Sequence, residues 1–192
     1  MLKPILTTAP GELPVSAAEM RAQSRIGHAD DDALVSRLIE AATSHLDGFG
    51  GILGRALVTQ SWAVKLHDFA DVMRLPVGDL IGVTSVKYFD TLGVEQTASS
   101  SLYGAYTDAQ GPFIELKHNQ VWPSVSDRRD AISIEWTCGY GAAAAVPQSI
   151  RHGIMMLAAH WYENREATGV GGFEELPLTV KSLISPYRQV GI

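Results

Sequence analysis

Three side chains in this 192-residue sequence have the chemistry of a nucleophile and its bases: Cys138, His152 and His160. A thiol attacks as its thiolate, so it needs a nearby base and access to a substrate. Cys138 instead falls within an alternating segment that reads as a strand, where an inward thiol is inert packing. His160 and Glu163, at i and i+3, share a helix face as metal ligands do. No His-Glu-x-x-His pattern or second ligand cluster accompanies them. Asp30-Asp31-Asp32 offers carboxylates to a cation, but Ala33 to Leu38 supplies neither the later ligands nor the glycine of a Ca²⁺ loop. The run Gly48-Phe49-Gly50-Gly51-Ile52-Leu53-Gly54 has the glycine content of a phosphate loop. It follows a helix, precedes strands and lacks Gly-Lys-Ser/Thr, so it reads as a flexible hinge. Ser99-Ser100-Ser101 lacks the Gly-x-Ser-x-Gly setting of an exposed nucleophile. Trp62, Trp122, Trp136 and Trp161 are spread along the chain as core or interface anchors rather than as a stacking platform for sugars or bases. The expectation is a non-enzymatic protein with no metal and no cofactor; a small hydrolase and a carbohydrate-binding β module are the remote alternatives.

The elements that would carry these residues follow from period and punctuation. Residues 1 to 14, with Pro4, Pro10 and Pro14, should run extended until Ser16-Ala17-Ala18-Glu19 opens a helix with capping-box spacing. A second helix of about 18 residues should start at the aspartate run, whose carboxylates cap free amides, with Leu34, Leu38, Ala41, Ala42, Leu46 and Phe49 as its apolar stripe. Beyond the glycines the period changes to alternation. Strands are predicted at Val58 to His67, Ile81 to Asp90, Val94 to Thr97, Leu102 to Thr107, Phe113 to Leu116 and Ala131 to Tyr140. Pro147 suits a first helical turn, and Ile150, Ile154, Leu157 and Trp161 form the clearest core stripe in the chain. Met155, Ala158 and Tyr162 make a second apolar patch, which a partner subunit would cover. Glu166 to Leu176 reads as a mobile loop, followed by a short helix near Thr179 to Ile184 that ends at Pro186.

The fold class is therefore α+β: a small helical bundle, of N-terminal helices plus a long C-terminal helix, with a β-strand insertion in the middle. Residues 1–54 and 141–192 would form the helical core and 55–140 the insertion, all one structural unit. A hydrophobic content of 46% and charged content of 19% belong to a globular chain able to bury a core without disulfides. Net charge is −6 and the cations are scattered, which argues against a domain that grips nucleic acid. One cysteine and no apolar leader predict a reducing cytoplasm, and the apolar stretch from Ile154 to Tyr162 is too short to cross a membrane.

Several segments, taken in order, carry a resemblance. They are Leu13-Pro14-Val15-Ser16, Asp31-Asp32-Ala33-Leu34, Gly54-Arg55-Ala56-Leu57-Val58-Thr59-Gln60-Ser61-Trp62, and Leu75-Pro76 before Val83-Thr84-Ser85-Val86. Trp136-Thr137-Cys138-Gly139-Tyr140-Gly141, Val146-Pro147, Ile150-Arg151 and Trp161-Tyr162-Glu163-Asn164-Arg165-Glu166 complete the series. Their order resembles the head-tail connector (adaptor) proteins of long-tailed bacteriophages and of phage-derived gene transfer agents. The resemblance implies an adaptor beneath the portal protein, assembled as a ring, expected to be dodecameric in the particle, on which a stopper or tail-completion protein and the tail are built. DNA would pass through the lumen without sequence-specific binding, and no membrane is involved. It also implies assembly in the bacterial host cytoplasm, then residence in the virion or gene-transfer particle. A closed ring needs a heterologous interface, for which Met155 and Tyr162 are the candidates. The C-terminal segment, with Leu183, Tyr187 and Arg188, is implied to contact the portal. Another connector-layer or tail-completion protein is the nearest alternative.

Overall fold

The computed structural model describes residues 1–164 and 178–189, so the loop expected at Glu166 to Leu176 lies outside the described residues. The chain divides into two compact units. One comprises residues 1–11, 59–139 and 189–192, and the other residues 12–58 and 140–188.

The second unit is helical. Helix α1 (Ala17–Ser24) starts at the predicted capping box. The Glu19 amide donates to Ser16 Oγ at 3.2 Å and the Ser16 amide to the Glu19 carboxylate at 2.9 Å. That backbone donor is the largest influence holding the Glu19 carboxyl below its ordinary value, helped by the Ser16 hydroxyl and Arg151. Helix α2 (Asp32–Leu46) is shorter than expected, and its N-terminus differs in kind. Asp31 makes no side-chain cap; its carboxylate accepts instead from the Tyr162 hydroxyl at 2.5 Å. The buried stripe is Val35, Ile39, Ala42 and Leu46: Ala42 and Leu46 are buried as predicted, Val35 and Ile39 replace Leu34 and Leu38, which flank it, and Ala41 and Phe49 are exposed. Both sets recur at intervals of three and four, and β-branched Val35 and Ile39 take the inward positions.

Pro147 stands at the N-cap of α3 (Gln148–Glu163), one position before the first helical residue. Ile150, Ile154 and Leu157 are buried as predicted, and Trp161 is half-buried. The long helix does not end the chain. Helix α4 (Leu178–Ile184) and a 3₁₀ turn (Ser185–Tyr187) follow it, with Val180 and Ile184 buried in the same core. A Cβ on Gly153 of α3 would stand 3.1 Å from Ile184, so the small residue lets α4 approach closely. Residues 47–54 are a closed turn rather than a hinge. The amides of Ile52 and Leu53 donate to the carbonyls of His45 and Leu46, Gly48 and Gly54 adopt positive φ, and a Cβ on Gly51 would overlap the Leu46 and Asp47 backbone.

The first unit is antiparallel β. One sheet has five strands in the order β1 (Ile5–Thr8), β2 (Gln60–Leu66), β8 (Ile132–Cys138), β4 (Leu80–Phe89), β5 (Glu95–Thr97). The other has β3 (Val72–Arg74), β7 (Gly111–Leu116) and β6 (Tyr103–Asp108). Strand β8 occupies the centre, pairing Gln60 with Cys138 through Leu66 with Ile132 on one side, and Leu80 with Cys138 through Tyr88 with Ile132 on the other. Its Ile132, Ile134, Trp136 and Cys138 are all buried, the period-two pattern of a half-buried strand. All six predicted strands are present within a few residues of their expected bounds; β1 and β3 were not foreseen. Strands β2 to β8 lie between α2 and α3, so the fold is α+β with a β insertion between helices.

Candidate functional site

Cys138 is buried in β8, and the described residues contain no cluster of three or more His, Cys, Asp or Glu side chains able to hold a metal. His160 accepts a backbone hydrogen bond from Asn164 at 3.0 Å through its carbonyl, closing the C-terminus of α3. The tryptophans are structural. Trp136 is fully buried, Trp62 nearly so, and Trp122 lies parallel to Phe69 at 4.3 Å, with Tyr103 stacked at 6.0 Å. The Trp122 indole N–H donates to the Ala70 carbonyl, which pins the irregular segment after Lys117 to the sheets.

The proposed interface pair finds partners inside its own unit. Met155 is 7% exposed and belongs to the helical core, together with Ala158. Tyr162 is half-buried and spends its hydroxyl on Asp31. Of the second apolar patch read from the sequence, Met155 and Ala158 are thus buried in the helical core and Tyr162 stays partly exposed.

The C-terminal residues lie differently. Leu183 and Tyr187 are half-buried against the helical core, whereas Arg188 is exposed on the rim of a cavity of about 680 Å³. Its other walls are His45, Ile52, Leu53, Lys181, Ile184 and Ser185. Three segments build it: the last turn of α2, the glycine turn, and α4 with the 3₁₀ turn. The floor is aliphatic, with Leu53 and Ile184 buried and Ile52 36% exposed. His45, Lys181 and Arg188 stand around it exposed, with no carboxylate among the described lining residues. Of these residues sequence reasoning singled out Arg188. Lys181 and Ile184, at i and i+3, carried a signal of a shared face, but His45 and Ile52 are distant in sequence and carried none.

No family model and no curated protein sequence matches the chain. Solved structures do. A chain of the neck of an empty gene transfer agent particle, computed with C6 symmetry, superposes with a TM-score of 0.81 at 24% identity, covering 100% of this chain and 97% of that one. The chain has the fold of a gene transfer agent neck component. A chain of the virion of a native gene transfer agent particle gives 0.80, and one from the neck of a native particle, computed with C12 symmetry, gives 0.77, with the same identity and coverage. The neck fold includes both units, so the β insertion is part of the likeness as much as the helices are. Within it, the cavity beside α4 belongs to the helical unit. No helix among the described residues is long and apolar enough to cross a membrane.

Proposed function

We propose that this protein is a head-tail connector, an adaptor whose copies form a ring between the portal and the tail-side stopper of a phage or gene-transfer particle, with DNA passing through the channel. The observation that carries this reading is full-length similarity to neck chains at TM-scores of 0.77 to 0.81, over helices and insertion alike. Connector residues quoted above, such as Ser16 at its capping box and Trp136 in the central strand, occupy structural positions in that fold. The role is non-catalytic: the side chains with nucleophile or ligand chemistry serve as packing and helix termini. A net charge of −6 on each of many copies suits a channel wall along which DNA slides rather than sticks. Assembly takes place in the host cytoplasm, and the portal side is met by the segment holding Leu183, Tyr187 and Arg188.

Loss of the gene should leave DNA-filled heads without tails, counted by negative-stain electron microscopy. The intact chain should restore tails, and a chain ending at Ile184 should not, although it keeps the buried Val180 and Ile184 and therefore its fold. Normal tailed particles without the gene would refute the reading. Cross-linking to portal rather than tail subunits separates the adaptor from another connector-layer or tail-completion protein.

A further inference from the structure

We infer that the cavity beside α4 is a docking site for an acidic, aliphatic peptide segment of a partner protein. Basic side chains near a helix C-terminus ordinarily offset the partial charge of unpaired carbonyls. At the end of α2 that task is already performed by the backbone: the carbonyls of Thr43, His45 and Leu46 accept from the amides of Asp47, Ile52 and Leu53. Lys181 and Arg188 form no ion pair among the described residues, and they stand together on one cavity. Among the described residues, the Lys181 and Arg188 charges thus have no carboxylate beside them, next to an apolar floor of Ile52, Leu53 and Ile184. A segment that buries aliphatic side chains on that floor and places carboxylates at the rim satisfies both halves of the lining. Nucleic acid satisfies one half, because a phosphate backbone has nothing to set against the floor. The cavity's chemistry stands on the structure alone; that the segment belongs to a neighbouring neck protein rests on the connector reading.

The probe is a blocked, fluorescein-labelled octapeptide alternating leucine and glutamate, titrated with the full chain and followed by anisotropy. Binding should weaken at least tenfold in the Lys181→Glu/Arg188→Glu variant and fall as salt rises from 50 to 500 mM, since exposed charges are screened. Both side chains are exposed, so the variant should keep the wild-type circular dichroism and melting temperature; Ile52→Lys, which charges the floor, provides an independent second loss. Equal binding of a leucine–lysine octapeptide, preference for a labelled DNA duplex, or binding indifferent to both variants would overturn the proposal. So would a self-association, seen by sedimentation, that the double variant abolishes while the acidic peptide fails to bind, since this assigns the cavity to a second copy. A chain that enters necks yet binds no acidic peptide refutes the docking site alone; one that binds it yet never enters particles refutes the connector role alone.

Discussion

The helical and β units differ in what sets the register of their elements. In the helical unit, polar contacts tie one helix to another: Arg151 of α3 reaches Glu19 and the Pro14 carbonyl, Arg21 of α1 meets Asp32 of α2, and Tyr162 meets Asp31. In the β unit the pairs sit at strand ends and join segments that the sheet has already brought together. Arg74 grips Asp108 through two bonds at 2.6 and 2.7 Å, Arg128 grips Asp130 at 2.7 and 2.9 Å, and Lys87 lies 3.7 Å from Glu95 across a hairpin. Helices slide and rotate over one another unless something fixes their register, and cross-helix pairs do that. A sheet is registered by its ladder and by the inward alternation of β8, so its surface charges are left to decorate.

The largest test of the contrast strikes both cores. Trp136→Ala should cost about 3–5 kcal/mol and Ile154→Ala about 2–5 kcal/mol, measured by urea denaturation. If the units unfold independently, each variant shifts the transition of its own unit; if they unfold as one, both shift a common midpoint. A smaller effect belongs to the helical unit's local signals. Ser16→Ala removes the N-cap oxygen and should cost about 1 kcal/mol, with Ser16→Asn close to wild type; an Ala variant of full stability would mean that packing alone sets the start of α1. The smallest lies on the β surface. Arg74 holds the Asp108 carboxyl down to about 2, from an ordinary 3.8. A depressed carboxyl stabilises the fold above its unfolded value and loses that contribution as pH falls through the folded one. The stability difference between wild type and Asp108→Asn should therefore be constant above about pH 5 and shrink between pH 4 and 2. A gap that widens on acidification would contradict the pairing.

What was legible in the sequence was local. Ser16 and Glu19 form their box because the motif needs four consecutive residues, and Ile150, Ile154 and Leu157 declare their face by spacing alone. The α2 stripe was displaced because the segment is apolar on adjoining positions, Leu34 with Val35 and Leu38 with Ile39, and tertiary packing chooses between the two sets. Strand β1 escaped notice between Pro4 and Pro10, and β3 is a three-residue strand after a polar turn. Asp31 was read as a cap because its type suits one; its actual partner, Tyr162, comes from a helix that local sequence cannot bring near. The cavity was hidden for the same reason, since its lining comes from α2, the glycine turn, and α4 with the turn after it.

The central place of β8 also dictates an order of events during synthesis. Strands β2 and β4 leave the ribosome well before the strand that joins them, and at typical elongation rates the stretch from Phe89 to Cys138 takes on the order of several seconds to make. Through that interval the facing edges of β2 and β4 have no partner, while α2 likewise waits for α3. The nascent protein is thus committed late, and a translational pause or truncation before Ile132 would leave two open strand edges, one on β2 and one on β4, for chaperones or proteases to find.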